Sequence, residues 1–137
     1  MSAEDHDIEV SVDGRRERWK LATARDGRAW RLTLLAPHRT WIAQGPDLFE
    51  ALRVLRRELD PQAIRLGCNG ARRNAWASGM QRDMGEGRGV YLCELGAPGR
   101  PPHWDTLGPA PLEEVGTVAE QDAFHARWLA DRGIAEP

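Results

Sequence analysis

The chain has 137 residues, 41% hydrophobic and 29% charged, which predicts one soluble globular domain over 1–137 and excludes a disordered chain. No apolar run reaches the roughly 18 residues of a membrane helix, and the acidic start MSAEDHDIEV is unlike a signal peptide, so we expect a cytoplasmic protein that does not bind membranes. The net charge of −2 combines acidic ends with a basic middle, and we expect the ends to neutralise the middle internally.

Alternation of apolar and polar residues predicts an antiparallel β-meander at the start of the chain. The dipeptides Asp13-Gly14 and Asp26-Gly27 are typical of the tight turns between such strands. Trp19 and Trp30 fall on the apolar side of their strands, so we interpret them as core residues rather than pocket residues. The strands are expected at 8–12, 19–23, 30–34 and 40–43.

The pattern then changes to a helical spacing. Gly45-Pro46-Asp47 is typical of a helix start, and Asp60-Pro61 of a helix end. Between them, four leucines at spacings of four, three and four predict an apolar stripe that packs on the sheet: Leu48, Leu52, Leu55 and Leu59. We interpret this helix as scaffold.

The segment 67–89 is rich in glycine and arginine and connects two short predicted strands, 63–66 and 90–95. Long connections inside small domains tend to be functional, so this is the first place to look for a site. One helical turn is predicted within it, with Ser78 as its N-terminal cap.

The last part of the chain combines a proline-rich surface segment at 97–111 with a C-terminal helix. Thr117 and Glu120 form a capping box at its start, and Gly133 is placed to end it. The predicted fold class is α+β: an antiparallel or mixed sheet, made of the N-terminal meander plus two later strands, with two main helices packed on one face.

The segment 67–89 carries the predicted binding site. Guanidinium groups, side-chain amides and the N–H groups at a helix start suit an anion or a carboxylate. We therefore expect a small binding or protein-interaction module, regulatory or immunity-like, for an acidic protein partner or a small anionic ligand. The alternative is a small enzyme or anion binder centred on Arg72, Arg73 and Ser78. The candidate residues are Asn69, Arg72, Arg73, Asn74, Ser78 and Arg82.

Other chemistries lack a pattern in this sequence. The only cysteines, Cys68 and Cys93, are expected to be buried and reduced. Ser78 is not in a nucleophile elbow, because Trp76 stands where that turn requires glycine. The four histidines have no metal-ligand spacing, so we expect no metal, no cofactor and no assigned catalytic residue. The pI of 6.1 and the dispersed basic residues argue against nucleic-acid binding. The sequence is compatible with a homo-oligomer.

Two stretches of the second half are distinctive: GCNGARRNAWASGMQRDMG and GTVAEQDAFHARWL. In these stretches the chain resembles a group of small uncharacterised bacterial proteins, actinobacterial in type, with no known activity. The resemblance implies a shared domain and transfers no site residue.

Overall fold

The computed structural model describes residues 3–133 as an α+β fold with two antiparallel sheets and three helices, which confirms the predicted class. The first sheet has the strand order β4-β3-β2-β1-β5. Its strands are β1 Ala3–Val12, β2 Arg15–Asp26, β3 Ala29–Leu35, β4 Thr40–Gly45 and β5 Ile64–Leu66. The helices are α1 Leu48–Leu59, α2 Gly79–Asp83 and α3 Val118–Asp131.

The first sheet forms from the predicted meander. Asp13 and Gly14 both have positive φ, 51° and 85°, as the two-residue turn between β1 and β2 requires. Trp19 and Trp30 are only 7% and 4% exposed, which confirms that they are core residues. Trp19 stacks on Trp41 of β4, with ring centroids 5.7 Å apart.

Helix α1 covers the apolar face of this sheet. Its N-terminal cap, Asp47, accepts the Glu50 N–H at 2.8 Å, and its leucine stripe is buried as predicted. Arg53 and Arg56 of the same helix are also buried, at 4% and 2% exposure, and they face away from the sheet's core toward the second half of the chain.

The second sheet is a feature that the sequence pattern did not separate from the first. The strand expected at 90–95 runs over Gly89–Leu92 as β7, and it pairs with β6 Ala75–Trp76 and β8 His103–Asp105 instead of extending the first sheet. Helix α3 packs against β6 and α1. Apolar alternation identifies a strand but not its partner, and this explains the difference.

Short 3₁₀ turns at 60–62, 69–71 and 112–114 link these elements. In the part of the chain from 3 to 133, no helix has the length and apolar character required to cross a membrane.

Candidate functional site

A buried arginine fastens the start of the 67–89 segment to helix α1. Arg56 donates to the carbonyls of Gly70 and Ala71, both at 3.4 Å, and to the carbonyl of Gly116 at 2.9 Å. Burial is the main cause that lowers the pKa of Arg56 to about 10, so the side chain still carries its charge at neutral pH. Backbone carbonyls thus surround a cation and hold the segment in place.

Gln121 of α3 completes this network from the other side. Its side-chain oxygen accepts from Arg53 at 2.6 Å and from Arg56 at 2.9 Å. Its amide nitrogen donates to the carbonyls of Gly70 and Arg72, both at 2.9 Å. All four hydrogen-bonding positions of a fully buried amide are therefore used, and α3 is joined to the segment and to α1 at one point.

Two of the predicted site residues, Asn69 and Arg72, come together. The Nε of Arg72 donates to Oδ1 of Asn69 at 3.0 Å, and the Asn69 amide donates to the carbonyl of Asp105 at 2.9 Å. The Arg72 guanidinium lies over the exposed ring of Trp104, 5.7 Å from its centroid. Asn69 is buried and acts as a joint between the segment and β8.

Arg73 and Asn74 have separate partners. Arg73 donates to the carbonyl of Glu113 at 2.8 Å and lies 3.8 Å from the Glu120 carboxylate, so part of the acidic C-terminal region neutralises it as expected. Asn74 donates to the carbonyl of Cys93 at 2.9 Å, which ties the segment to the chain beyond β7.

Ser78 caps α2, as its position in the sequence predicts. Its hydroxyl accepts the Gln81 N–H at 3.1 Å, and the Gln81 side chain accepts the Ser78 N–H at 2.7 Å. Arg82 lies 3.3 Å from the Glu50 carboxylate and over the Phe49 ring, 4.8 Å from its centroid. The six predicted residues thus contact several different parts of the molecule, and the contacts found among residues 3–133 do not join all six.

A cavity of about 450 Å³ lies between the second sheet and α3, and we call it the aromatic pocket. Ser78 lines this pocket, whereas the other five predicted residues do not. Its apolar walls are formed by Trp76, Tyr91, Pro101, His125, Trp128 and Leu129.

A stack of rings builds one wall of the aromatic pocket. Trp76 and His125 are parallel within 9° at 3.9 Å, and Trp128 continues the stack at 6.0 Å from His125. Burial lowers the pKa of His125, and the charges of Arg53 and Arg82 lower it further, so the ring is neutral at pH 7. Within residues 3–133, the buried His125 Nδ1 and Trp128 Nε1 have no hydrogen-bond partner.

Two arginines also line the aromatic pocket. Arg132 lies over Trp128 at 4.4 Å and donates to the carbonyls of Ala97 and Gly99 at 3.0 and 2.7 Å, which fixes its position. Arg100 is exposed, and no carboxylate of the described residues forms an ion pair with it. The pocket therefore combines apolar walls with positive charge.

Nucleophilic groups in the aromatic pocket are not activated. Cys93 and Cys68 are both free and buried, as predicted. Burial raises the pKa of the Cys93 thiol to about 11, so it is protonated at neutral pH. Residues 3–133 contain no group of three or more metal-ligating side chains.

Sequence reasoning missed most of this pocket. His125 and Trp128 of α3 and Arg132, the residue that caps its C-terminus, follow spacings of three and four, which places them on one side of the helix. That signal was available, but the other aromatic lining residues, Trp76 and Tyr91, come from the second sheet and are distant in sequence. No protein-family model matches the chain, and a comparison with curated proteins finds no similar sequence.

Proposed function

We propose that this protein is a binding module that holds a small aromatic carboxylate in the aromatic pocket. The ring stack of Trp76, His125 and Trp128 carries the proposal, because it lines a cavity of about 450 Å³, a size typical of small-molecule sites. The predicted role of the 67–89 segment is kept in part, since Trp76 and Ser78 belong to it.

The apolar walls favour a ligand with a ring-sized apolar body. Tyr91, the strand partner of Trp76, and Pro101 also line the pocket, so a flat ligand would contact more apolar surface than the stack alone provides. Aromatic pairs in offset or edge-to-face geometry add attraction beyond the area that they bury.

The charge of the pocket favours an anionic group on that ligand. Arg100 and Arg132 would repel a cation and can bind a carboxylate through several N–H donors. His125 is neutral and adds no charge, so the positive charge of the pocket comes from these two arginines. A carboxylate would thus be recognised by the rim and the ring body by the walls.

Binding without catalysis agrees with the state of the nearby nucleophiles. The Cys93 thiol is protonated, and the Ser78 hydroxyl is the cap of α2. A site around Arg72, Arg73 and Ser78 is the alternative, and the separate contacts of Arg72 and Arg73 favour it less.

Calorimetric titration with 2-naphthoate and with its neutral amide, 2-naphthamide, tests the proposal. We expect the carboxylate to bind and the amide to bind about tenfold more weakly, the effect of about 1.4 kcal/mol. Arg100→Ala should lower the affinity for the carboxylate to that for the amide, and Trp128→Leu should lower the affinity for both ligands.

Two arginine variants serve as matched controls. Arg28→Ala removes another exposed arginine, in the turn between β2 and β3, and Arg73→Ala removes one of the residues first predicted from sequence. Both should bind 2-naphthoate as the parent does. Equal binding of the carboxylate and the amide contradicts the proposal, and weaker binding by Arg73→Ala favours the alternative site.

A further inference from the structure

Strand β1 has one complete edge and one incomplete edge. It pairs with β2 from Ala3 to Val12, but it pairs with β5 only from Val10 to Val12. One more hydrogen bond follows, from the Gly67 N–H to the Glu9 carbonyl at 2.8 Å. Before Glu9, no strand among residues 3–133 covers this edge.

The free edge presents backbone groups of alternate residues. Since the Glu9 carbonyl points to this edge and a strand repeats every two residues, the N–H and C=O groups of Asp7 and Asp5 point the same way. Unpaired groups in a row are a template for another strand.

A groove of about 860 Å³ runs beside this edge. Trp30 of β3 and Leu48 of α1 line the groove. One of its walls is the segment 107–111, which is held by the Ala110 N–H to the Gly67 carbonyl at 3.0 Å and by the Asn69 N–H to the Gly108 carbonyl at 2.8 Å. Pro109 and Pro111 have no N–H, so this wall is poorly suited to pair with β1. The space between wall and edge stays open to an added chain.

The charge along the edge selects the occupant. Asp5, Asp7 and Glu9 occupy alternate positions of β1, opposite the buried face of Ile8 and Val10. Lys20 and Arg16 of β2 lie 3.6 Å from Asp7 and 2.9 Å from Glu9, and Arg18 and Arg88 also line the groove, so among residues 3–133 these carboxylates have cations on the β2 side and none from a strand on the free edge. A second copy of β1 would place carboxylates against carboxylates, which destabilises cross-strand pairs, whereas a strand with cations at alternate positions would form favourable ones.

We propose that the groove binds an extended segment of a partner protein, with lysine or arginine at alternate positions, which adds to the free edge of β1 as a further strand. Backbone hydrogen bonds to Asp5 and Asp7 supply the affinity, and the acidic side chains supply the preference for a basic segment. The groove and the aromatic pocket share no lining residue, so this inference stands apart from the proposed function.

Titration with acetylated and amidated peptides of about six residues, the usual strand length, tests this inference. The probes alternate valine with lysine, serine or glutamate. We expect the lysine peptide to bind at least about tenfold more tightly than the serine peptide, and to lose affinity at about 1 M salt, where charges are screened beyond about 3 Å. Amide hydrogen exchange should slow at Asp5 and Asp7 when it binds.

Variants separate the backbone contribution from the charge. The pair Asp5→Asn with Asp7→Asn should weaken lysine-peptide binding about tenfold, and Asp7→Pro, which removes one edge N–H, should abolish it. Asp83→Asn changes an exposed carboxylate on α2 and should leave binding unchanged.

Before titration, circular dichroism is used to check that each variant is folded. Equal binding of the serine peptide, undiminished binding by the double variant, or protection at other amides would overturn the inference. A dimer in sedimentation analysis that Asp7→Pro dissociates would overturn it too, by assigning the edge to a second copy.

Discussion

The first sheet with α1 and the region from 67 to 133 are stabilised in different ways. The sheet buries alternate apolar side chains, such as Leu21, Leu32 and Leu34, under the leucine stripe of α1. The later region packs on Phe49 of α1 through a small apolar cluster, and it is also joined to α1 by buried polar groups, with Arg56 and Gln121 at the centre. Apolar packing tolerates exchange of similar side chains, whereas a buried polar network depends on each member.

Replacement of Arg56 should lower the free energy of unfolding more than the other substitutions compared below. Arg56→Leu leaves the Gly116 carbonyl and one position of Gln121 without a donor in a buried site, so we expect the free energy of unfolding to fall by about 3 kcal/mol. Urea denaturation followed by circular dichroism measures it. Arg57→Leu, at an exposed position of α1, should stay within about 0.5 kcal/mol of the parent. Equal losses in both variants would contradict a special role of the network.

A substitution at Gly87 tests how closely the 67–89 segment approaches α1. Gly87 has φ of +71°, and a Cβ there would lie 2.7 Å from the backbone nitrogen of Phe49. Gly87→Ala should therefore lower the free energy of unfolding by about 2 kcal/mol. Gly79→Ala is the matched control, because no atom beyond its chain neighbours and its own helix backbone lies within 4 Å of its Cβ position, and it should be neutral or slightly stabilising. A Gly87→Ala variant as stable as Gly79→Ala would show that the segment is not held against α1.

The smallest expected effect is the pH dependence of the free energy of unfolding that His125 causes. Burial lowers the pKa of His125 in the folded protein below its ordinary value of 6.5, so the unfolded chain binds the proton first. The contribution of His125 to the free energy of unfolding is therefore fully present above about pH 6.5. As the pH falls below that value, the free energy of unfolding decreases by at most about 1.4 kcal/mol per pH unit.

Urea midpoints at neutral and mildly acidic pH measure this dependence. His125→Gln should reduce it, whereas His38→Gln, at an exposed position before β4, should retain the parent's slope. A slope that is unchanged in His125→Gln would assign the pH dependence to other groups.

Local patterns predicted the elements of the chain well. Alternation located β1 to β4, leucine spacing located α1, and the predicted cap at Ser78 and capping box at Thr117 are both present. These signals work because each depends on residues a few positions apart.

The site was harder to predict because its residues are distant in sequence. Arg56 and Gln121 are separated by 65 positions, and Trp76 reaches His125 only once β6 and α3 are packed together. The pairing of β7 with β6 and β8 depends on the same long-range arrangement. The arginine content of the 67–89 segment predicted a binding site there, although Arg73 and Arg82 have carboxylate partners elsewhere in the chain.

The tryptophan pairs offer two optical reporters in one molecule. Trp19 and Trp41 stack at 5.7 Å within the first sheet, so their coupled transitions should give an exciton couplet in the far-ultraviolet dichroism. Trp76 and Trp128 line the aromatic pocket, where fluorescence responds to a ligand. Spectra of a single unlabelled sample can therefore follow both the integrity of the sheet and the occupancy of the pocket.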